Sequence, residues 1–165
     1  MKNSGTITVI LVVLSFVFMA NACNREDENH HRTIEIINNS EKAIYTYLGL
    51  FYPDTLFEAG RIPSSSEPSI YKVVPHERNR SALNMARIYW ETIFKDGSQI
   101  PSDTLMIYIY DAELWESKTF NHIYNTVIQR YDVSLQDLQW LNWKISYPPS
   151  EEMKNIKMYP PYNRE

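Results

Sequence analysis

The chain has 165 residues, 16 basic and 20 acidic, for a formal net charge of −4. That balance, with no Lys/Arg run, argues against nucleic acid as a partner. A single cysteine excludes an internal disulfide, and four glycines, scattered along the chain, cannot build a phosphate-cradling loop. No Gly-x-Ser-x-Gly elbow occurs either.

Residues 1–22 read as a secretory signal peptide. Lys2 provides a positive start, Thr6 to Ala20 carries no charge, and Ala20-Asn21-Ala22 is a small-x-small cleavage site. The apolar run is shorter than the roughly 20 residues that a spanning helix needs. Cys23, the sole cysteine, follows directly. This placement resembles that of bacterial lipoproteins, although Ala20 and Asn21 stand where that pattern favours Leu and then Ala or Ser. The resemblance implies diacylation of the thiol, cleavage before Cys23 and acylation of the new amine. The alternative, an ordinary cut after Ala22, would leave a free thiol on an exported protein.

Removing the signal leaves 143 residues (165 − 22), with 15 basic (16 less Lys2) against 20 acidic, a net of −5. That length suits one domain. Residues 23–32 contain no apolar side chain after Cys23 and read as an acidic flexible tether. Within it, Glu26, Asp27 and Glu28 resemble the surface-export signal of Bacteroidetes lipoproteins, which implies an outer-membrane protein facing the cell exterior. The tripeptide Asp-Thr-Leu at residues 54–56 and 103–105 resembles an O-glycosylation acceptor of the same phylum. Asp-Thr is also ordinary turn chemistry.

In chain order, Thr33 to Ile37 reads as a strand closed by the Asn38-Asn39-Ser40 turn cluster. Ala43 to Tyr52 reads as a second strand, Ile62 to Pro68 as a loop, and Ser69 to Val74 as a short strand. His76 to Arg80 reads as polar loop, and Met85 to Phe94 as another β-rich run. Thr104 to Tyr110, almost wholly β-branched and aromatic, reads as a central strand. The spacing of Phe120, Ile123, Tyr124, Val127, Ile128 and Tyr131 predicts a helix with one apolar face. Ser134 to Asp137 has the form of a capping box opening a second helix. Trp143, Ile145 and Tyr147 alternate as a final strand that Pro148-Pro149 stops. From Ser150 onward the chain reads as an extended or disordered tail.

Together these predict a single α+β domain over 33–149: an antiparallel, sandwich-like sheet with a helical pair before its last strand. The stretch from Ile128 to Pro149 resembles the closing signature of a family of small Bacteroidetes lipoproteins. Arg130-Tyr131-Asp132, Leu138, Asn142-Trp143 and Tyr147-Pro148 carry the likeness. The family implies the docking of helices and a strand onto a sheet, and no catalytic residue.

Candidate chemistry is sparse. His30 and His31 lie in the tether, His76-Glu77 lacks the second His of a zincin motif, and His122 stands alone, so no metal site or cofactor is expected. Asp96, Asp103 and Asp111 would suit a glycosidase only if two of them faced each other across a cleft. Their turn positions favour local backbone bonding instead. Tyr and Trp are abundant, 12 and 4. Tyr108, Tyr124 and Trp143 fall in patterns that predict burial, whereas Tyr45, Tyr47, Trp90, Trp115 and Trp140 are candidates for exposure and glycan contact. The expectation is a non-enzymatic envelope protein, held to the membrane by its lipid and meeting other envelope components, with glycan binding as the alternative.

Overall fold

The computed structural model describes residues 26–27, 29–53, 70–117 and 127–163. In chain order the elements are β1 (Thr33–Asn38), β2 (Ile44–Gly49), β3 (Lys72–Val73), β4 (Arg78–Asn84), α1 (Trp90–Asp96), β5 (Leu105–Asp111), α2 (Ala112–Glu116), β6 (Val127–Val133), α3 (Leu135–Trp140), β7 (Lys144–Tyr147), a 3₁₀ turn (Glu151–Met153) and β8 (Lys157–Tyr159). One sheet has five strands, β3-β2-β5-β6-β8, all antiparallel. The other has three, β4-β1-β7, with an antiparallel β1–β4 pair and a parallel β1–β7 pair.

Both sheets bury one face in the same core: Ile34, Ile36 and Ile145 from the small sheet, Ile44, Leu105, Ile107, Ile109, Tyr131, Val133 and Met158 from the large one. The fold is therefore α+β and sandwich-like, as the patterning predicts. Strand β5 is buried along its whole length and lies at the middle of its sheet, in keeping with its β-branched and aromatic content.

Two polar side chains tie the sheets together. The fully buried Asn38 amide donates to the Lys42, Val73 and Val74 carbonyls at 2.7, 3.0 and 3.2 Å, and its oxygen accepts from the Ser40 N–H and hydroxyl. It thus links the end of β1 to β3 in the other sheet. Tyr131 of β6 donates its hydroxyl to the Ser146 carbonyl of β7 at 2.9 Å. Buried polar groups that find every partner in this way favour one arrangement over its alternatives.

Four segments differ from the sequence expectation. The helix predicted over Phe120 to Tyr131 is strand β6 from Val127 onward, while Phe120, Ile123 and Tyr124 lie outside the described residues. Gln129, Tyr131 and Val133 also satisfy period two, and pairing with the central strand β5 selects that reading. Met85 to Phe94 is no strand: Trp90, Ile93 and Phe94 fall on one helical face and form α1. The expected loop at His76 to Arg80 runs into β4, an edge strand whose polar residues face water. Finally, the chain beyond Pro149 belongs to the domain. Met153, Ile156 and Met158 are buried, and β8 pairs with β6. The Ile62 to Pro68 loop and the first Asp-Thr-Leu tripeptide lie outside the described residues.

The capping box expected at the start of α3 does hold. Ser134 and Asp137 form the reciprocal capping box. At the other end, Trp143 N–H donates to the Leu138 carbonyl and Asn142 N–H to that of Gln139, the paired bonds of a Schellman stop with Asn142 in the left-handed conformation.

Asp111, 4 % exposed, caps α2 by accepting from the Glu113 and Leu114 N–H groups at 3.0 and 3.2 Å, and meets the Lys42 ammonium at 3.1 Å. Burial alone would raise its pKa, but these donors outweigh burial and hold the carboxyl below its ordinary value. A lowered folded-state pKa contributes stability above the unfolded value, near 3.8, that is lost as pH falls through the folded one. Replacing Asp111 with Ala should therefore cost about 1 kcal/mol at neutral pH. In urea unfolding the gap from wild type should shrink as pH drops below the unfolded value; a gap unchanged by acid would show that the carboxylate's charge plays no part.

Candidate functional site: the cleft under the amino-terminal strap

Residues that the sequence reading assigned to a flexible tether are fastened to the domain instead. His31 is the centre of this strap. Its imidazole Nδ1 lies 2.6 Å from Glu91 Oε1, and its backbone N–H donates to both Glu91 oxygens at 3.1 and 2.9 Å. Glu91 sits at the start of α1 and is only 6 % exposed. In return the His31 carbonyl accepts the Trp90 N–H at 2.8 Å. The imidazole stacks on Trp143, with centroids 4.4 Å apart and planes 16° from parallel.

Flanking contacts extend the grip. Tyr89 packs between the His30 ring, 4.7 Å away, and the Arg32 guanidinium, also 4.7 Å away. Glu26 accepts from the Arg32 N–H at 3.0 Å and pairs with Arg80 at 3.3 Å. Asp27 accepts from the Asn29 N–H and pairs with His30, and these bonds lower its pKa. Trp143, the other wall, has positive φ like the preceding Asn142, 59° and 50° respectively. A bulky aromatic residue is strained there and needs its surroundings to hold it. The His31 stack and a nearly complete burial provide that support.

Strap, α3–β7 turn and small sheet enclose a cleft of about 640 Å³. It is lined by Glu26, Asp27, His31, Thr33, Glu35, Arg80, Gln139, Asn142, Trp143 and Lys144. Its size is within the range of small-molecule sites. The lining offers paired charges and amides, and its one hydroxyl, on Thr33, already accepts from Asn84 at 2.7 Å. The arrangement suits polar contact with a surface or ligand.

The structure separates the other candidates. Trp140 is 77 % exposed, and Tyr45 and Tyr47 are half-buried. Trp90 and Trp115, two of the candidates for exposure, are buried at 0 and 4 % exposure. Trp90 is the first core-facing residue of α1, and Trp115 packs from α2 over Tyr110 on the outer face of the large sheet. Tyr108 and Trp143 are buried as their patterns predict, and Tyr124 lies outside the described residues.

Asp111 closes β5 and Asp103 lies in the turn two residues before its start, so the strand, about 20 Å long, runs between them. Asp96 is hydrogen-bonded to Ser98 just past α1. His76 meets only the exposed Glu41, and among the described residues no group of three or more His, Cys, Asp or Glu could hold a metal. Also among the described residues, no helix is long and apolar enough to cross a membrane. Cys23 and Glu28 lie outside them.

Sequence reasoning missed the His31–Glu91–Trp143 constellation because its members are distant in the chain, with Glu91 60 positions after His31. No local spacing encodes such a contact. Comparisons with protein-family models, with curated proteins and with solved structures find no match.

Removing the carboxylate with Glu91→Ala should release the strap, since a nearly buried N–H would lose its acceptor at a cost of about 1–3 kcal/mol. The expected readout is new proteolytic cleavage within residues 26–32 while the core stays resistant. Unchanged protection of that segment would show that Glu91 does not hold it.

Proposed function

We propose that this is a lipid-anchored outer-membrane lipoprotein, exposed at the cell surface, whose role is interaction within the envelope and not catalysis. The observation that carries this reading is Cys23: the sole cysteine, set immediately after a charge-free run and a small-residue cleavage site. Acylation explains why a thiol stands at that position. The acidic Glu26-Asp27-Glu28 run supports the surface assignment, and the Glu26 and Asp27 contacts to the strap and to Arg80 give the same residues a second role in docking the domain. Two or more acyl chains hold a protein in a bilayer stably, each buried methylene contributing about 0.8 kcal/mol.

Glycan binding is the alternative, and the observation in its favour is the corner formed by half-buried Tyr52 and half-exposed Tyr159 on the outer face of the large sheet. Cations already lie over these rings: Lys157 is 5.1 Å from the Tyr52 centroid, and Arg130 is 4.4 Å from that of Tyr159. Sugar stacking there would have to displace them, which weighs against this reading.

Labelled fatty acid should be incorporated into wild type and not into Cys23→Ser. That variant should keep its fold and leave the membrane fraction. Wild type should also be cleaved by protease added to whole cells. A Cys23→Ser protein that stays in the membrane, with no label taken up by wild type, would contradict the anchor.

A further inference from the structure

We infer that Trp140 is a second, non-covalent membrane contact, an indole seated among phospholipid headgroups beside the lipid anchor. This rests on the reading of Cys23 as acylated. Trp140 is 77 % exposed, whereas the other three tryptophans, Trp90, Trp115 and Trp143, are no more than 5 % exposed. On α3 it stands two residues past the buried Leu138, about 200° around the helix and so directed away from the core.

Its position relative to the anchor makes the bilayer the fitting occupant. Gln139 and Asn142, in the same turn of chain, line the cleft together with Glu26 and Asp27. From Glu26, fixed by Arg32 and Arg80, only three residues lead back to Cys23, and they span at most about 11 Å. An acylated Cys23 therefore brings the membrane surface close to this end of the domain. An indole, apolar in body with one N–H donor, favours the interface between headgroups and acyl chains. At the same cleft, exposed Lys144 presents an ammonium suited to a phosphate headgroup.

Burial of the other three tryptophans makes the test selective. The acylated full chain is reconstituted into phosphatidylethanolamine–phosphatidylglycerol vesicles with and without brominated acyl chains, and its tryptophan emission is compared with that of Trp140→Phe. Acylation of Cys23 is checked by mass on the same sample. The expected result is a Trp140 emission that is shielded from acrylamide in unbrominated vesicles and quenched in brominated ones, with neither effect in Trp140→Phe. If Cys23 is acylated and Trp140 emission remains aqueous and unquenched by bromine, the membrane contact is overturned and the anchor stands. If oligosaccharide, and not lipid, shields Trp140 from acrylamide, the contact is with sugar and the inference is overturned. If mass shows no acyl chain on Cys23, both the anchor and the contact fall.

Discussion

The buried Glu91 carboxylate determines where this chain leaves its domain. It accepts three bonds from one residue, His31, and so fixes the backbone immediately before β1. Everything proposed about orientation depends on that grip. With it, residues from Glu26 onward are part of the folded body, and the reach from domain to Cys23 is three residues. Without it, the whole 23–32 segment would be a leash of about 35 Å. The clamp is assembled from parts far apart in the chain: the strap, the start of α1 and the strained turn at Trp143. Trp143 serves both sides of this arrangement, since its indole packs in the core and also against His31.

Residues from Arg130 to Trp143 have defined places in the fold. Arg130 pairs with the buried Asp132 at 2.8 Å, Tyr131 bonds across to β7, Leu138 anchors α3 in the core, and Asn142-Trp143 form the helix stop and cleft wall. These residues hold the two sheets and their connecting helix in register.

Much of the fold was legible in the sequence, and the failures share a cause. The central strand was readable because Thr104 to Tyr110 is rich in β-branched and aromatic residues, and all of Leu105–Asp111 is buried. The capping box at Ser134 was readable because it is a local, reciprocal bond pattern. Val127 to Tyr131 satisfied helical and strand periods at once, and only tertiary pairing with β5 resolved it. The polar edge strand β4 and the buried Met153, Ile156 and Met158 were missed for complementary reasons: an edge carries little apolar signal, and the prolines after β8 disguised a packed segment as a tail. The proposed anchor at Cys23 rests on adjacent residues alone. The strap was not readable, because its partners lie about 60 positions away.

If Cys23 carries the proposed lipid, a domain clasped this close to it should lie against the bilayer and not above it. Neutron reflectometry of the acylated protein on a supported bilayer measures the hydrated gap between headgroups and protein. The account predicts a gap no thicker than about 10 Å, the span of three residues. A solvent layer of about 30 Å or more, the length of a ten-residue leash, would contradict it.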